Sequence, residues 1–266
     1  MRMYQVDAFT DQLFSGNPAA VLVLADWLSD ALMLAITQEN NLAETAFVKP
    51  RPDGSWDLRW FAPAHEVDFC GHATLATAHI LFTEHGATTD LVFHTRVGEL
   101  RVSKEAGGYR LDIPRLDPET VESLPPEVTD MFSAPPATSF RNFENLFVDL
   151  GSADAVRSFV PDFSAISRLG AVGLVVTGRE SEQGKADFVS RYFAPAAGIP
   201  EDPVTGSIHA TLVPYWAGKL GQDKLLACQA SVRGGWLHCE LSERRVLLSG
   251  NAVTFMAATI SLPETA

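Results

Sequence analysis

Alternating apolar and polar positions divide the chain into strands, and longer runs with helical spacing separate them. The opening MYQVDAFT alternates as a half-buried strand does, WLSDALMLAITQENN repeats its apolar residues every three to four positions, and AETAFVKP reads as a strand again. The second half of the chain repeats this order with NLFVDLG, PDFSAISRLG and AVGLVVTG. Both halves therefore predict the same succession of strand, helix and strand.

The two halves also share a nearly identical hexapeptide. RWFAPA at residues 59 to 64 returns as RYFAPA at residues 191 to 196, and a glycine followed by a helical run comes after each copy. These glycines, Gly71 and Gly206, lie 135 residues apart, and the similar segments TRVGELRV and SVRGGWLHCEL place Gly98 and Gly235 137 residues apart. Both offsets are close to half the chain, so the sequence predicts two copies of one α/β unit.

The boundary between the copies is predicted in residues 116 to 136, which are rich in Pro and Glu and lack any period. This gives an N-terminal lobe over residues 1–116 and a C-terminal lobe over residues 117–266. The last strand, NAVTFMAATISLP, can pack on either lobe. Strands that flank one apolar helix in each half predict an α+β fold in which a sheet wraps around that helix.

Composition and charge narrow the classes of partner. The 266 residues are 46% apolar, which suffices for a large core, and 33 acidic against 20 basic residues give a net charge of −13. This charge argues against nucleic acid and anionic lipid as partners. No stretch approaches the roughly 20 apolar residues of a membrane span, and Asp7 interrupts any signal peptide, so a cytoplasmic location is expected. The three cysteines lack CxxC spacing, which argues against disulfides and structural zinc.

Four separated motifs carry a resemblance to a known family. GNPAAV (16–21), LAETAFV (42–48), DFCGHATLA (68–76) and EDPVTGSIHA (201–210), in this order, resemble the phenazine biosynthesis PhzF family. The resemblance implies a fold similar to diaminopimelate epimerase, with two pseudo-symmetric lobes that are each a barrel-like, mostly antiparallel sheet around a central helix, and an active site in the cleft between them. It also implies a homodimer and a small carboxylate-bearing substrate, which in the namesake enzymes is a dihydro-hydroxyanthranilate.

The glycine-led helix starts are candidates for binding that carboxylate. The first turn of a helix presents unpaired N–H groups and the positive end of the helix dipole, and glycine allows close approach of a ligand. Gly71, His72 and Ala73 form one such turn, and Gly206, Ser207 and Ile208 form the other. Taken alone, Gly206 and Ser207 are more commonly the ordinary beginning and cap of a helix. The duplication favours the ligand role.

Glu44 is the predicted general acid/base. It lies among Leu42, Ala43, Ala46 and Phe47, and desolvation by such neighbours favours the protonated form of an acid, which suits proton transfer. The second copy has apolar or glycine residues around positions 170 to 172 where the first has this acid. Spacing alone favours a glutamate that points outward from a half-exposed strand. The resemblance reverses this, because Glu44 aligns with the family's general acid/base.

Three further residues complete the predicted site. The resemblance implies that His72 and Asp202 orient the substrate and assist the proton's passage, and that Asn17 is a further contact. His72 taken alone is equally explained as a hydrogen-bonded histidine at a helix start. His65, Asp68, Cys70 and His72 are close in sequence, but their spacing matches no common zinc pattern, so no metal is predicted.

Cys70 departs from the pattern of the related epimerases, in which a thiol precedes the glycine in each half. The second half has Pro203-Val204-Thr205 before Gly206, so a two-thiol racemase is disfavoured. A mixed pair of Cys70 and Glu44 stays open, as does a non-catalytic binding protein on the same fold. There is no GxGxxG after a strand and no Walker loop, so no cofactor is expected. The prediction is a cofactor-independent isomerase that moves a proton within its substrate.

Overall fold

The computed structural model describes residues 1–132 and 135–262. The first half contains β1 (Arg2–Ala8), β2 (Asn17–Val23), α1 (Asp30–Asn40), β3 (Glu44–Pro50), β4 (Trp56–Phe61), β5 (Glu66–Val67), α2 (Gly71–Thr83), β6 (Leu91–Thr95), β7 (Gly98–Glu105) and β8 (Gly108–Pro114). The second half contains β9 (Glu119–Thr120), α3 (Pro126–Thr129), β10 (Thr138–Arg141), β11 (Asn145–Ser152), α4 (Ala153–Ser158), α5 (Phe163–Ser167), β12 (Gly173–Arg179), β13 (Phe188–Ala194), a 3₁₀ turn (Pro195–Ala197), β14 (Ile199–Asp202), α6 (His209–Leu220), β15 (Lys224–Gln229), β16 (Gly235–Ser242), β17 (Arg245–Gly250) and β18 (Ala252–Thr259).

The chain forms two compact units, of which the first comprises Met1–Ile113 and the segment that begins at Ser249. Its sheet runs β18, β1, β2, β3, β4, β6, β7 and β8, with β5 paired to the end of β4. The pairs β2/β3 and β4/β6 are parallel, and the others are antiparallel. Helix α2 packs against β1, β2, β3, β7 and β18. The last strand, β18, thus belongs to this unit.

Helix α2 is buried around nearly its whole circumference, as its sequence requires. It contains no Asp, Glu, Lys or Arg, and a helix without a strongly polar face is stable only inside a core. The hydroxyls of Thr74 and Thr77 donate to the carbonyl oxygens of Cys70 and Ala73 at 2.6 and 2.7 Å. These bonds satisfy the two buried hydroxyls within the helix itself.

The second unit, Pro114–Leu248, repeats the strand pairing of the first. Its sheet runs β10, β11, β12, β13, β15 and β16, with β14 beside β13. The parallel pairs β11/β12 and β13/β15 correspond to β2/β3 and β4/β6 of the first unit. Helix α6 packs on β15 and β16. The predicted α+β class with two pseudo-symmetric lobes is confirmed.

The repeated hexapeptide has one structural role in both units. Arg59 on β4 forms a two-pronged ion pair with Glu66, at 2.7 and 2.6 Å, and lies over the ring of Phe61. Arg191 on β13 pairs in the same way with Glu201, at 2.7 and 3.0 Å, over Phe193. Such pairs fix the geometry of both partners. In each unit the arginine therefore anchors the segment that leads to the glycine and the next helix.

The helix predicted for PDFSAISRLG is shorter than the pattern indicates, and a second helix precedes it. The segment contains α5, while α4 comes directly after β11. Ser152 caps α4 by accepting from the Ala155 N–H, and Asp162 caps α5 by accepting from the Ala165 N–H. Pro161 lies between them, and proline disfavours helical geometry in the residue before it. One continuous helix, as in the first unit, is thus prevented.

The prediction that Gly71 and Gly206 open comparable helices is correct only for Gly71, the first residue of α2. Helix α6 begins at His209. Residues 206 to 208 form a tighter turn, in which the N–H groups of His209 and Ala210 donate to the carbonyls of Gly206 and Ser207 at 3.1 Å each. The turn leads directly into the helix. Among the described residues, none of the helices combines the length and apolar character needed to cross a bilayer.

Candidate active site

Glu44 is the first residue of β3 and faces the interior of the first unit. The chain enters β3 after Asn41 ends α1 in the left-handed conformation, with φ of 51°. The Glu44 side chain is only 13% exposed, and its Oε2 lies 3.2 Å from Nε2 of His72, whose side chain is 4% exposed. Glu44 therefore does not point outward from a half-exposed strand.

The start of α2 brings Cys70 and His72 to Glu44. Cys70 is the N-cap residue, in extended conformation, and its side chain makes no capping hydrogen bond. Its Sγ lies 3.4 Å from Nδ1 of His72. Asn17, fully buried at the start of β2, places its Nδ2 3.1 Å from the same Nδ1. Because β2 and β3 are parallel neighbours, the fold brings together four side chains from three separate segments of the sequence.

Burial and neighbouring groups shift the pKa values of both Cys70 and His72. Burial, together with the neighbouring charge of Glu44, raises the pKa of Cys70 to about 11, so the thiol stays protonated at neutral pH. Burial alone would lower the pKa of His72, but the neighbouring Cys70 and Glu44 outweigh it and raise that pKa well above its usual value. Cys70 is therefore a poor base at neutral pH.

The cluster also contains metal-ligand chemistry that the sequence spacing does not reveal. One donor atom each from Glu44, Cys70 and His72 lie within 4.8 Å of one another. Of the other two residues weighed as ligands, Asp68 places its Oδ1 3.6 Å from Arg96, and His65 takes part in a backbone turn with Ala62. Glu44 is distant in sequence and joins the set only through the fold.

The second unit has no acid at the position equivalent to Glu44. In the first unit Arg59 of β4 lies opposite Phe47 of β3, which comes three residues after Glu44. In the second unit Arg191 of β13 lies opposite Val176 of β12, which comes three residues after Gly173. Gly173 is therefore the equivalent of Glu44. The prediction that residues 170 to 172 are equivalent is wrong by one to three positions. A Cβ on Gly173 would lie 2.4 Å from Cε2 of Tyr192 and 2.5 Å from Oδ1 of Asn145. These two side chains fill the space, so no larger residue fits.

The remaining predicted residues lie in the second unit. Asp202 ends β14 and is buried, and its Oδ2 accepts a hydrogen bond from the Thr205 hydroxyl at 2.5 Å. Thr205 thus occupies the place before the glycine that Cys70 has in the first unit. In the turn that follows, Gly206 and Ile208 are buried and Ser207 is partly exposed.

Gln229 is a residue of this region that the sequence reasoning missed. It is buried at the end of β15, its Oε1 accepts from the Thr205 N–H at 2.8 Å, and its Nε2 donates to the Asp202 carbonyl at 2.9 Å. Nearby, burial lowers the pKa of His209 to about 4, so this imidazole is neutral at neutral pH. Its Nδ1 lies 2.9 Å from the Thr205 carbonyl. A network around Thr205 therefore holds Asp202 and the turn together.

Comparison with known proteins agrees with this architecture. The model of the phenazine biosynthesis-like protein family (PhzC-PhzF) matches residues 6–258. An uncharacterized isomerase of Pseudomonas aeruginosa is 46% identical over 263 residues, which cover 98% of this chain and 99% of that protein. The crystal structure of a PhzF family protein from Enterococcus faecalis has a TM-score of 0.92 and 43% identity, and the match covers 98% and 99% of the two chains.

More distant structures share the fold. A probable proline racemase from Agrobacterium radiobacter aligns with a TM-score of 0.66 at 11% identity, over 98% of this chain and 93% of that one. The fold is therefore the one that includes the epimerase-like proteins. The chain itself belongs to the phenazine biosynthesis-like PhzF family.

Proposed function

We propose that this chain is a cofactor-independent isomerase that moves a proton within a small carboxylate-bearing substrate. The observation that supports this most strongly is the buried Glu44 carboxylate, 3.2 Å from the Nε2 of His72. In a proton transfer of this kind the base must be fixed close to the substrate carbon and be shielded from water. Both the burial of Glu44 and the absence of an equivalent acid at Gly173 favour one residue that removes and returns the proton.

The neighbours of Glu44 have supporting roles in this proposal. Glu44 accepts the proton from one substrate carbon, carries it as a carboxylic acid and delivers it to another carbon, while His72, whose Nε2 lies 3.2 Å from Oε2 of Glu44, holds the Glu44 side chain in position. Asn17 holds the imidazole in place from its Nδ1 side. Removal of the proton leaves negative charge on the substrate, which fixed backbone donors stabilise.

Those donors are assigned to the two glycine-led turns. In this proposal the N–H groups of Gly71, His72 and Ala73 and those of residues 206 to 208 bind the substrate carboxylate, and Ser207 adds a hydroxyl donor. Asp202 orients the substrate from the second unit. Its hydrogen bond with Thr205, which Gln229 supports, holds it in a defined position.

Solvent exchange tests the proposed reaction class. The protein is incubated in D₂O with a panel of small carboxylates that includes cyclic dienes such as dihydro-hydroxyanthranilate and 2-amino acids. We expect one carbon-bound proton of a true substrate to be replaced by deuterium, seen by NMR and as a gain of one mass unit per turnover. No added cofactor should be required. If no compound of either class exchanges faster than in buffer, the proposal is contradicted.

A racemase that pairs Cys70 with Glu44 is the second candidate, because both side chains adjoin His72. The proposal predicts that Cys70→Ala keeps the exchange rate within about tenfold of wild type, since a thiol with pKa about 11 is protonated at neutral pH. Cys228→Ala is the matched control, because Cys228 lies outside the cluster. A loss of about 10²-fold or more in Cys70→Ala alone would favour the racemase pair.

A further inference from the structure

The cluster at the start of α2 has the spacing of a metal-ligand set. Nε2 of His72 lies 3.2 Å from Oε2 of Glu44 and 3.8 Å from Sγ of Cys70. In a tetrahedral site with metal–sulfur bonds of about 2.3 Å and metal–nitrogen or metal–oxygen bonds of about 2.0 Å, donor atoms lie roughly 3.3 to 3.6 Å apart. The Nε2–Oε2 distance is close to this range, and all three donor atoms lie within 4.8 Å of one another. Because Sγ lies nearer Nδ1 (3.4 Å) than Nε2 (3.8 Å), the His72 ring must turn before one ion can contact all three side chains.

The chemistry of the donors selects the kind of ion. A thiol, an imidazole and a carboxylate together suit a borderline transition-metal ion such as Zn²⁺, whereas Mg²⁺ and Ca²⁺ require sets of oxygen ligands. Oε2 of Glu44 is buried and, apart from the 3.2 Å contact with Nε2 of His72, meets no polar partner among the described residues. This oxygen retains lone pairs for a ligand. Three protein ligands would leave the fourth position of a tetrahedral ion open.

We propose that Glu44, Cys70 and His72 bind one Zn²⁺-class ion, and that this ion inhibits the enzyme reversibly. Metal binding would release the proton of Cys70 to solvent, because the thiolate is the ligand form. The ion would occupy the carboxylate that accepts the substrate proton. The inhibitory effect, though not the binding itself, rests on the function proposed above.

Cobalt titration tests the binding directly. Metal-free protein in a thiol-free reducing buffer is titrated with Co²⁺, and Zn²⁺ uptake is measured by equilibrium dialysis with elemental analysis. We expect about one ion per chain and a thiolate-to-cobalt absorption band in the near ultraviolet. Cys70→Ala should lose the band, and both Cys70→Ala and Glu44→Gln should weaken Zn²⁺ binding by more than the roughly 10- to 100-fold that loss of an outer-shell partner costs.

Cys228→Ala, the matched control, should bind as the wild type does. Circular dichroism of each variant establishes that it is folded. The absence of a thiolate band from wild-type protein, or equal Zn²⁺ binding by wild type and Cys70→Ala, would overturn the metal site whatever the exchange assay shows.

The exchange assay separates the two proposals. With the band present, loss of deuterium exchange on Zn²⁺ addition and its return on chelation support the inhibition. If deuterium exchange continues undiminished when Zn²⁺ saturates the site, both the proposed inhibition and the role of Glu44 are overturned. If the band is present while metal-free wild type exchanges nothing, the metal site is supported and the isomerase proposal fails.

Discussion

Glu44→Gln should lower the rate of substrate deuterium exchange by about 10²- to 10⁴-fold, the usual contribution of a positioned general base. Glutamine has nearly the size and shape of glutamate, so it fills the same buried space, but its amide cannot accept a proton at neutral pH. The loss should appear mainly in kcat, because the carboxylate of the substrate is assigned to the backbone donors of the helix starts. Exchange and steady-state kinetics on the same substrate measure both effects.

The matched control is Glu39→Gln, which removes one negative charge from the exposed face of α1. We expect it to change the exchange rate by less than about twofold, because the charge of Glu39 is exposed to solvent and screened by salt. Thermal melting of both variants checks the fold. If folded Glu44→Gln exchanges as fast as Glu39→Gln, then Glu44 is not the base.

The two units differ at the position of Glu44, so only the first supplies an acid for the proposed proton transfer. In the first unit β3 begins with Glu44, while in the second β12 begins with Gly173. The side chains of Asn145 and Tyr192 occupy the space that a residue larger than glycine would need. The two units also differ at the position of Cys70. The second unit has Thr205 there, and its hydroxyl donates a hydrogen bond to Asp202. One copy thus keeps the titratable cluster, while the other keeps a hydrogen-bonded turn.

The sequence predicted those features that depend on local pattern or on repetition. The hexapeptide repeat gave the two pseudo-symmetric lobes, and helical spacing located α1 and α2 to within a few residues. Glu44 was recognisable as unusual because its neighbours are apolar. These signals lie within short windows of sequence, where residue spacing directly reflects secondary structure.

Features that depend on tertiary contact could not be predicted from the sequence. Gln229 has no local sign of its role, because it meets Thr205 only through the position of β15. Metal ligands were considered only among the sequence neighbours of Cys70, whereas the proposed set also needs Glu44, which comes from β3. The exact equivalent of Glu44 required the strand register, since the copies differ in spacing by a few residues.

The second large effect is expected on stability, at a buried ion pair that holds α6 to β11. Asp149 on β11 is fully buried, and Lys219 in the last turn of α6 pairs with its Oδ2, which also accepts from the Tyr215 hydroxyl at 2.6 Å. Lys219→Met keeps the apolar stem but removes the charge, so Asp149 is left buried without its cation. We expect the free energy of unfolding to fall by about 3 kcal/mol.

This value is at the low end for a buried pair, because the Lys219 side chain is 40% exposed. The matched control is Lys224→Met. The Lys224 side chain is 80% exposed, and its Nζ lies 3.7 Å from Oε2 of Glu240, so this ion pair should contribute less than about 1 kcal/mol to the free energy of unfolding. Urea unfolding at neutral pH, compared at equal m-value, measures both losses. Because α6 continues the turn at residues 206 to 208, the same anchor supports the proposed carboxylate subsite. Equal losses in the two variants would show that the ion pair with Lys219 is not what holds α6 to β11, and that the Tyr215 hydrogen bond and packing suffice.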